Sequence, residues 1–218
     1  LREGRFALYA QPILAALTST ESGPALEVLV RLADEPDAPA TAPAEFLRAA
    51  ERYRLMPLVD RWVVQTALAA LGRDTLRLAP GRSVCINISG QTLGDTQFLE
   101  FVVECLDRTG VQPSQVCFEV TEAAVVGNFD HARRFIGVLH GMGCAFALDD
   151  FGSGLGSFAN LKTLAIDYLK IDGTYMRNLA RDSVNQAMVS AMIKLARTLD
   201  FKVIAEQVED QTSFEAAR

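Results

Sequence analysis

The chain has 218 residues, half of them hydrophobic, and a formal net charge of -6, which is enough apolar material for one sizeable core. The acidic balance, with no clustered Lys/Arg stripe, argues against a nucleic-acid-binding surface but leaves a small anionic ligand open where cations are recruited locally. No apolar run approaches the ~20 residues of a membrane span, and "LREGRFALYA" lacks a signal-peptide core. The expectation is therefore a cytoplasmic domain, with a membrane anchor elsewhere in a parent protein left open.

In chain order, runs rich in Val, Ile, Phe and Tyr predict strands at "FALYAQPIL" (6–14), "ALEVLVRL" (25–32), "SVCINIS" (83–89), "VCFEVT" (116–121), "CAFALDD" (144–150), "YLKID" (168–172) and "KVIAEQV" (202–208). After the second, "DEPDAPATAPAE" reads as a Pro/Ala loop. Two helices come next, about 44–56 and 57–71, with Pro57 at a helix start. Near the end, "DSVNQAMVSAMIKLARTLD" places Val184, Met188, Ala191, Met192, Leu195 and Leu199 on one apolar stripe. Strands alternating with helices imply parallel pairing under helical cover. Without internal repeats or a dividing linker, residues 1–218 read as a single domain.

Cys85, Cys117 and Cys144 fall in strand-like runs and Cys105 in a helical one, with no CxxC spacing, so all four read as buried reduced thiols rather than zinc ligands. His131 and His140 share one helical segment and read as surface or packing residues.

Serial strands of this kind suit either a (β/α) barrel or a doubly wound open sheet. Polar residues favour the barrel: Glu27, Asn87, Glu119, Asp149 with Asp150, Lys170 with Asp172, and Glu206 with Glu209 all sit in or just past the later halves of apolar runs. Only a barrel gathers such strand ends at one mouth. Singly, each has a plainer explanation. Asp150 or Ser153 could cap a helix near Gly156, Asn87 could form an Asx-turn, and Glu122 could be a turn residue. Glu27 and Arg31 could pair along one strand face, and Glu119 and Lys170 could be a structural ion pair.

Together the set has many carboxylates, one amide and one lysine, with no His or Cys ligand. Such a cluster ionises in a partly desolvated pocket only beside cations, and all-oxygen ligation selects Mg²⁺, Mn²⁺ or Ca²⁺. Two metals bridged by a carboxylate suit phosphoester hydrolysis, with the lysine holding a water and, at a depressed pKa, taking its proton. An enolase-like scheme, with Lys170 abstracting a carbon-bound proton, stays open on spacing alone.

The ordered motifs "YAQPI", "EVLVRL", "INIS", "FEVTE", "DDFGSG", "LKID" and "AEQVE" resemble the EAL-domain family of cyclic-di-GMP phosphodiesterases, from about Phe6 to Glu209. The resemblance implies a (β/α)8 TIM-like barrel with an antiparallel first strand, truncated here before its last strand. It implies Mg²⁺- or Mn²⁺-dependent hydrolysis of cyclic di-GMP to linear 5'-pGpG by two ions. Glu27, Asn87, Glu119 and Asp149 would hold one metal, and Asp149, Asp150 and Glu206 the second. Lys170 would orient or deprotonate the water, Glu122 steady the loop after the paired aspartates, and Glu209 lie near the site. Gln11 and Arg31 would contact the dinucleotide, the arginine through phosphate.

Family habit adds a homodimer fused to N-terminal sensory or diguanylate-cyclase-like domains. The chain departs from the family's pattern at Val28, Leu32, Leu155, Gly156 and Gln207, the last standing where glycine is usual. The alternatives are a catalytically inactive cyclic-di-GMP receptor and a dimerising domain that binds nothing.

Overall fold

The computed structural model describes residues 5–16, 22–32, 43–154 and 158–217. Most of the Pro/Ala segment, and Leu155 with Gly156, lie outside them.

Among the described residues, seven strands form one sheet in sequential order: β1 (Phe6–Pro12), β2 (Gly23–Leu32), β3 (Arg82–Ile88), β4 (Val116–Thr121), β5 (Ala145–Phe151), β6 (Tyr168–Ile171) and β7 (Lys202–Ala205). The first pair is antiparallel, with Gln11 opposite Glu27, and every later pair is parallel. The helices are α1 (Pro43–Arg52), α2 (Met56–Gly72), α3 (Gly90–Leu93), α4 (Thr96–Thr109), α5 (Glu122–Gly127), α6 (Phe129–Gly141), α7 (Gly173–Met176), α8 (Ser183–Thr198) and α9 (Gln211–Ala217). The first two helices end and begin earlier than the pattern suggests, because Tyr53 to Leu55 turn the chain and Pro57 sits in the first turn of α2.

Capping is set by the side chains. Ser89 accepts from Thr92 N–H at the start of α3 and Asp95 from Gln97 N–H at the start of α4; Asp182 accepts from Val184 and Asn185 N–H at the start of α8. Helix α4 closes on Gly110 at φ 68°, the left-handed conformation glycine adopts freely.

Alternate strand residues such as Val84 and Ile86 on β3, Phe118 on β4, Phe146 and Leu148 on β5 and Leu169 on β6 join the large core under the helices. Phe118 meets Phe146 at 5.7 Å and Phe135 at 5.9 Å there. The intervening residues point the other way, where Cys85, Cys117, Ala147 and Tyr168 form a second, smaller cluster. All four cysteines are free and buried, as expected.

Lys170 on β6 reaches Glu27 on β2 at 3.3 Å. In a flat sheet four strand spacings would separate them by about 19 Å. The sheet therefore curls round on itself, and its sequential order leaves no switch point of the doubly wound kind.

One helical expectation holds in part: of the expected stripe, Met192 is buried and Leu195 and Leu199 pack against the core, but its other members do not. Helix α8 buries Val189, Met192 and Ala196, whereas Val184 and Met188 are exposed and Ala191 lies on the solvent side with them. Apolar residues occupy two adjacent lines of this helix, so periodicity alone could not choose between faces about 100° apart. Val189→Ala should therefore lower stability by about 1–3 kcal/mol and Val184→Ala by less than about 0.5, measured as shifts of the urea midpoint at constant slope.

Candidate active site

Lys170 is the centre of the site. It is 2 % exposed, and its Nζ lies 2.8 Å from Glu119, 2.8 Å from Glu206, 3.0 Å from Asp149 and 3.3 Å from Glu27. Glu27, Glu119 and Asp149 come from β2, β4 and β5, each on an inward odd position, and Glu206 comes directly after β7. Asn87 on β3 is the sheet partner of Glu119 and donates its amide to Glu27 Oε1 at 2.8 Å. Asn87 thus belongs to the acid cluster rather than to an Asx-turn. The cap that such a turn would supply comes from Ser89.

Asp150 joins the cluster by a backbone irregularity. In a regular strand it would point away from Asp149. The β5–β6 register instead shifts between Leu148 and Phe151, and Asp150 takes φ 53°. Carboxylate oxygens of Asp149, Asp150 and Glu206 then lie within 4.8 Å of one another. The Asp150 carbonyl accepts from Ser153 N–H and Oγ–H, while the helix start near Gly156 that Asp150 or Ser153 could cap lies outside the described residues. Left-handed backbone at a non-glycine residue costs about 1–2 kcal/mol, so the bulge must be held by contacts of the neighbouring residues. Gly152 N–H donates to Glu122 Oε2 at 3.1 Å, and the Tyr175 hydroxyl donates to Gly152 O at 2.6 Å. Glu122 is 7 % exposed, a buried clamp rather than a surface turn residue.

The remaining expectations separate. Gln11 lies opposite Glu27 in the β1–β2 register. Arg31 does not pair with Glu27: its Nη1 donates to Val30 O, and its guanidinium lies 5.8 Å from the Tyr9 ring centroid. Glu209 is exposed, and its carboxylate joins no ion pair among the described residues. Gln207 holds φ 50°, a glycine-preferring conformation, with its side chain laid against Gly173. Tyr175 is not legible in the sequence, since nothing in "IDGTYM" distinguishes its hydroxyl from a surface one.

One ammonium cannot neutralise four carboxylates. Burial pushes the Glu119 carboxyl up to about 7, and Glu27 and Asp149 add to the rise against the pull of Lys170. Burial and Asp149 likewise push Glu206 up to about 8, again opposed by Lys170, and burial with Asp149 and Asp172 raises Asp150. For Lys170, burial alone favours the neutral amine, but Glu119, Asp149, Glu27 and Glu206 together outweigh it and raise its pKa. In the metal-free chain the surrounding carboxylates thus hold Lys170 as a cation, the opposite direction from the depressed value expected beside bound metal.

Excess negative charge, all-oxygen donors and a buried Glu119 Oε1 with no hydrogen-bond partner fit a hard divalent cation. Raised carboxyl values mean that the folded chain binds more protons than the unfolded one between about pH 4.5 and 8, so stability falls as pH rises through that window. The melting temperature of the metal-free protein should therefore drop between about pH 5 and 8.5, and an added divalent cation should restore it most at the alkaline end. Differential scanning calorimetry checks both.

The family model described as EAL domain matches residues 1–218. The chain is 35% identical over 211 residues to cyclic di-GMP phosphodiesterase PdeB of Shewanella oneidensis, covering 97% of this chain and 24% of that protein. It is 32% identical over 216 residues to cyclic di-GMP phosphodiesterase PdeF of Escherichia coli K12, covering 99% of this chain and 28% of that protein. The chain thus spans about a quarter of the length of these curated relatives. Among solved structures, the PaMucR phosphodiesterase in complex with c-di-GMP superposes with TM-score 0.87 at 30% identity, covering 97% of this chain and 85% of that one. With its first strand antiparallel, its later strands parallel and its acids gathered at one mouth, the chain belongs to the EAL-domain family.

Proposed function

We propose that this domain hydrolyses cyclic di-GMP to linear 5'-pGpG with two divalent ions, Mg²⁺ or Mn²⁺. The observation that carries the reading is the convergence of Glu27, Glu119, Asp149 and Glu206 on Lys170, with Asp150 turned into the same mouth. The similarity to PdeB and PdeF, both named cyclic di-GMP phosphodiesterases, supports the same substrate.

Glu27, Asn87, Glu119 and Asp149 would hold one ion, and Asp149, Asp150 and Glu206 the other. When bound, such ions polarise a phosphoryl oxygen and acidify water. The chain's own groups do the rest. Arg31 would present the remainder of its fork to a phosphate, and Gln11, which lies across the strand pair from Glu27, would contact the dinucleotide beside it. Lys170, held charged, donates a hydrogen bond to the attacking water and stabilises negative charge that grows on phosphoryl oxygen. Water oxygen bonds to one phosphorus as one ester P–O bond breaks, with one of the water's two protons ending on the departing ribose oxygen and the other on the new phosphate monoester or in solvent. Glu122 keeps the Asp149–Asp150 turn in place through Gly152. The domain would act as a homodimer and as one unit of a longer protein, the second in keeping with the length of the relatives.

Conversion of cyclic di-GMP to pGpG, monitored by chromatography with Mg²⁺, Mn²⁺ or EDTA, tests this directly. Metal-dependent product is expected, and tight binding without product would make the domain a receptor instead. Glu27→Ala should abolish turnover while the circular dichroism spectrum is retained; retained turnover would remove Glu27 from the ligand set. Lys170→Ala should lower kcat about hundred- to thousandfold while leaving substrate affinity within about threefold, because its part is played in the transition state. Single-turnover kinetics and isothermal titration separate the two quantities.

A further inference from the structure

Gly152, two residues beyond the paired aspartates, is gripped at both backbone groups. Its N–H donates to Glu122 from the β4 side, and its carbonyl accepts the Tyr175 hydroxyl from the α7 side, at 2.6 Å. The approach leaves no room: at φ 94°, an added Cβ would stand 2.9 Å from the Tyr175 ring and closer still to Met192 Cε. Helix α7 is in turn fixed where it leaves β6, two residues past Lys170, by Asp172 accepting from Thr174 N–H at 2.7 Å.

We propose that Tyr175 is a positioning residue for the metal site, acting through the Gly152 carbonyl to hold Asp150 in its left-handed turn. The inference rests on the metal-dependent reading above. A strained non-glycine residue persists only where its surroundings over-determine it. Bonds fixing this turn among the described residues include those of Asp150 N–H to Asp149 Oδ1 at 3.0 Å, Ser153 N–H and Oγ–H to Asp150 O at 3.2 and 2.7 Å, Asp172 N–H to Phe151 O at 3.4 Å, Glu122 to Gly152 at 3.1 Å, and the tyrosine bond. The tyrosine bond is the shortest of them. It also links the segment carrying Asp149 and Asp150 to the helix that leaves the strand of Lys170, so the hydroxyl sets the acid pair relative to the ammonium.

Tyr175→Phe removes the hydroxyl and keeps the ring against Gly152 and Met192. In the full-length protein, isothermal titration with Mn²⁺ alone should show affinity weakened about three- to tenfold, the worth of one partly buried hydrogen bond. The melting temperature of the metal-free protein should move by less than about 3 °C. Turnover should fall at limiting Mn²⁺ and recover at saturation. Mn²⁺ affinity equal to wild type would overturn the proposal, and so would a lowered melting temperature with unchanged affinity, which marks a purely structural bond. A wild-type protein that binds no Mn²⁺ would overturn the metal-dependent reading and this inference with it. Wild-type binding with equal affinity in the variant overturns only the part given to Tyr175.

Discussion

A single buried ammonium organises this protein. Lys170 is withdrawn from water, which is costly unless charge and hydrogen bonds replace the lost hydration. The replacement comes from four carboxylates, on three strands and on the residue just past a fourth, which is possible only if the sheet bends until β2, four strands away in the order, faces β6. Curvature, inward parity and site composition are thus one constraint seen at three scales. The interior layer beneath the acids holds the small side chains Cys85, Cys117, Ala145 and Ala147, with Ile13, Ile204 and Tyr168 as its larger members.

Support from outside the sheet is equally specific. Asp60 on α2 is 4 % exposed and accepts from Ser89 N–H at 2.9 Å and Thr92 Oγ1 at 2.6 Å. Burial raises its pKa, with those hydrogen bonds working against the rise. The contact fixes the chain immediately beyond β3, two residues after Asn87. A polar group buried in this manner is stable because each of its partners is a donor in place.

Much of this was legible in the sequence, because hydrophobic runs and their interruptions report strand burial directly. Seven apolar runs became seven strands, and polar residues interrupting otherwise apolar segments marked the inward face. What was hidden depended on three-dimensional context. Period-2 alternation sends Asp149 and Asp150 to opposite faces, and only the register shift before Phe151 reunites them. Helix α8 carries two apolar lines, and the choice between them is made by its neighbours. The charge state of Lys170 depends on how many carboxylates reach it, a number that no spacing in the chain encodes.

Gln207 shows how a left-handed position without glycine ties the fates of two residues together. A Cβ added at Gly173 would stand 2.5 Å from Gln207 Cβ and 2.6 Å from its Cγ. These are atoms near the backbone that cannot swing aside. A side chain at Gly173 is therefore blocked first by Gln207, and the two positions cannot both carry one without a backbone shift. For this chain the order of substitution matters: a side chain at the start of α7 is accommodated more readily after the residue following Glu206 has been made smaller than before.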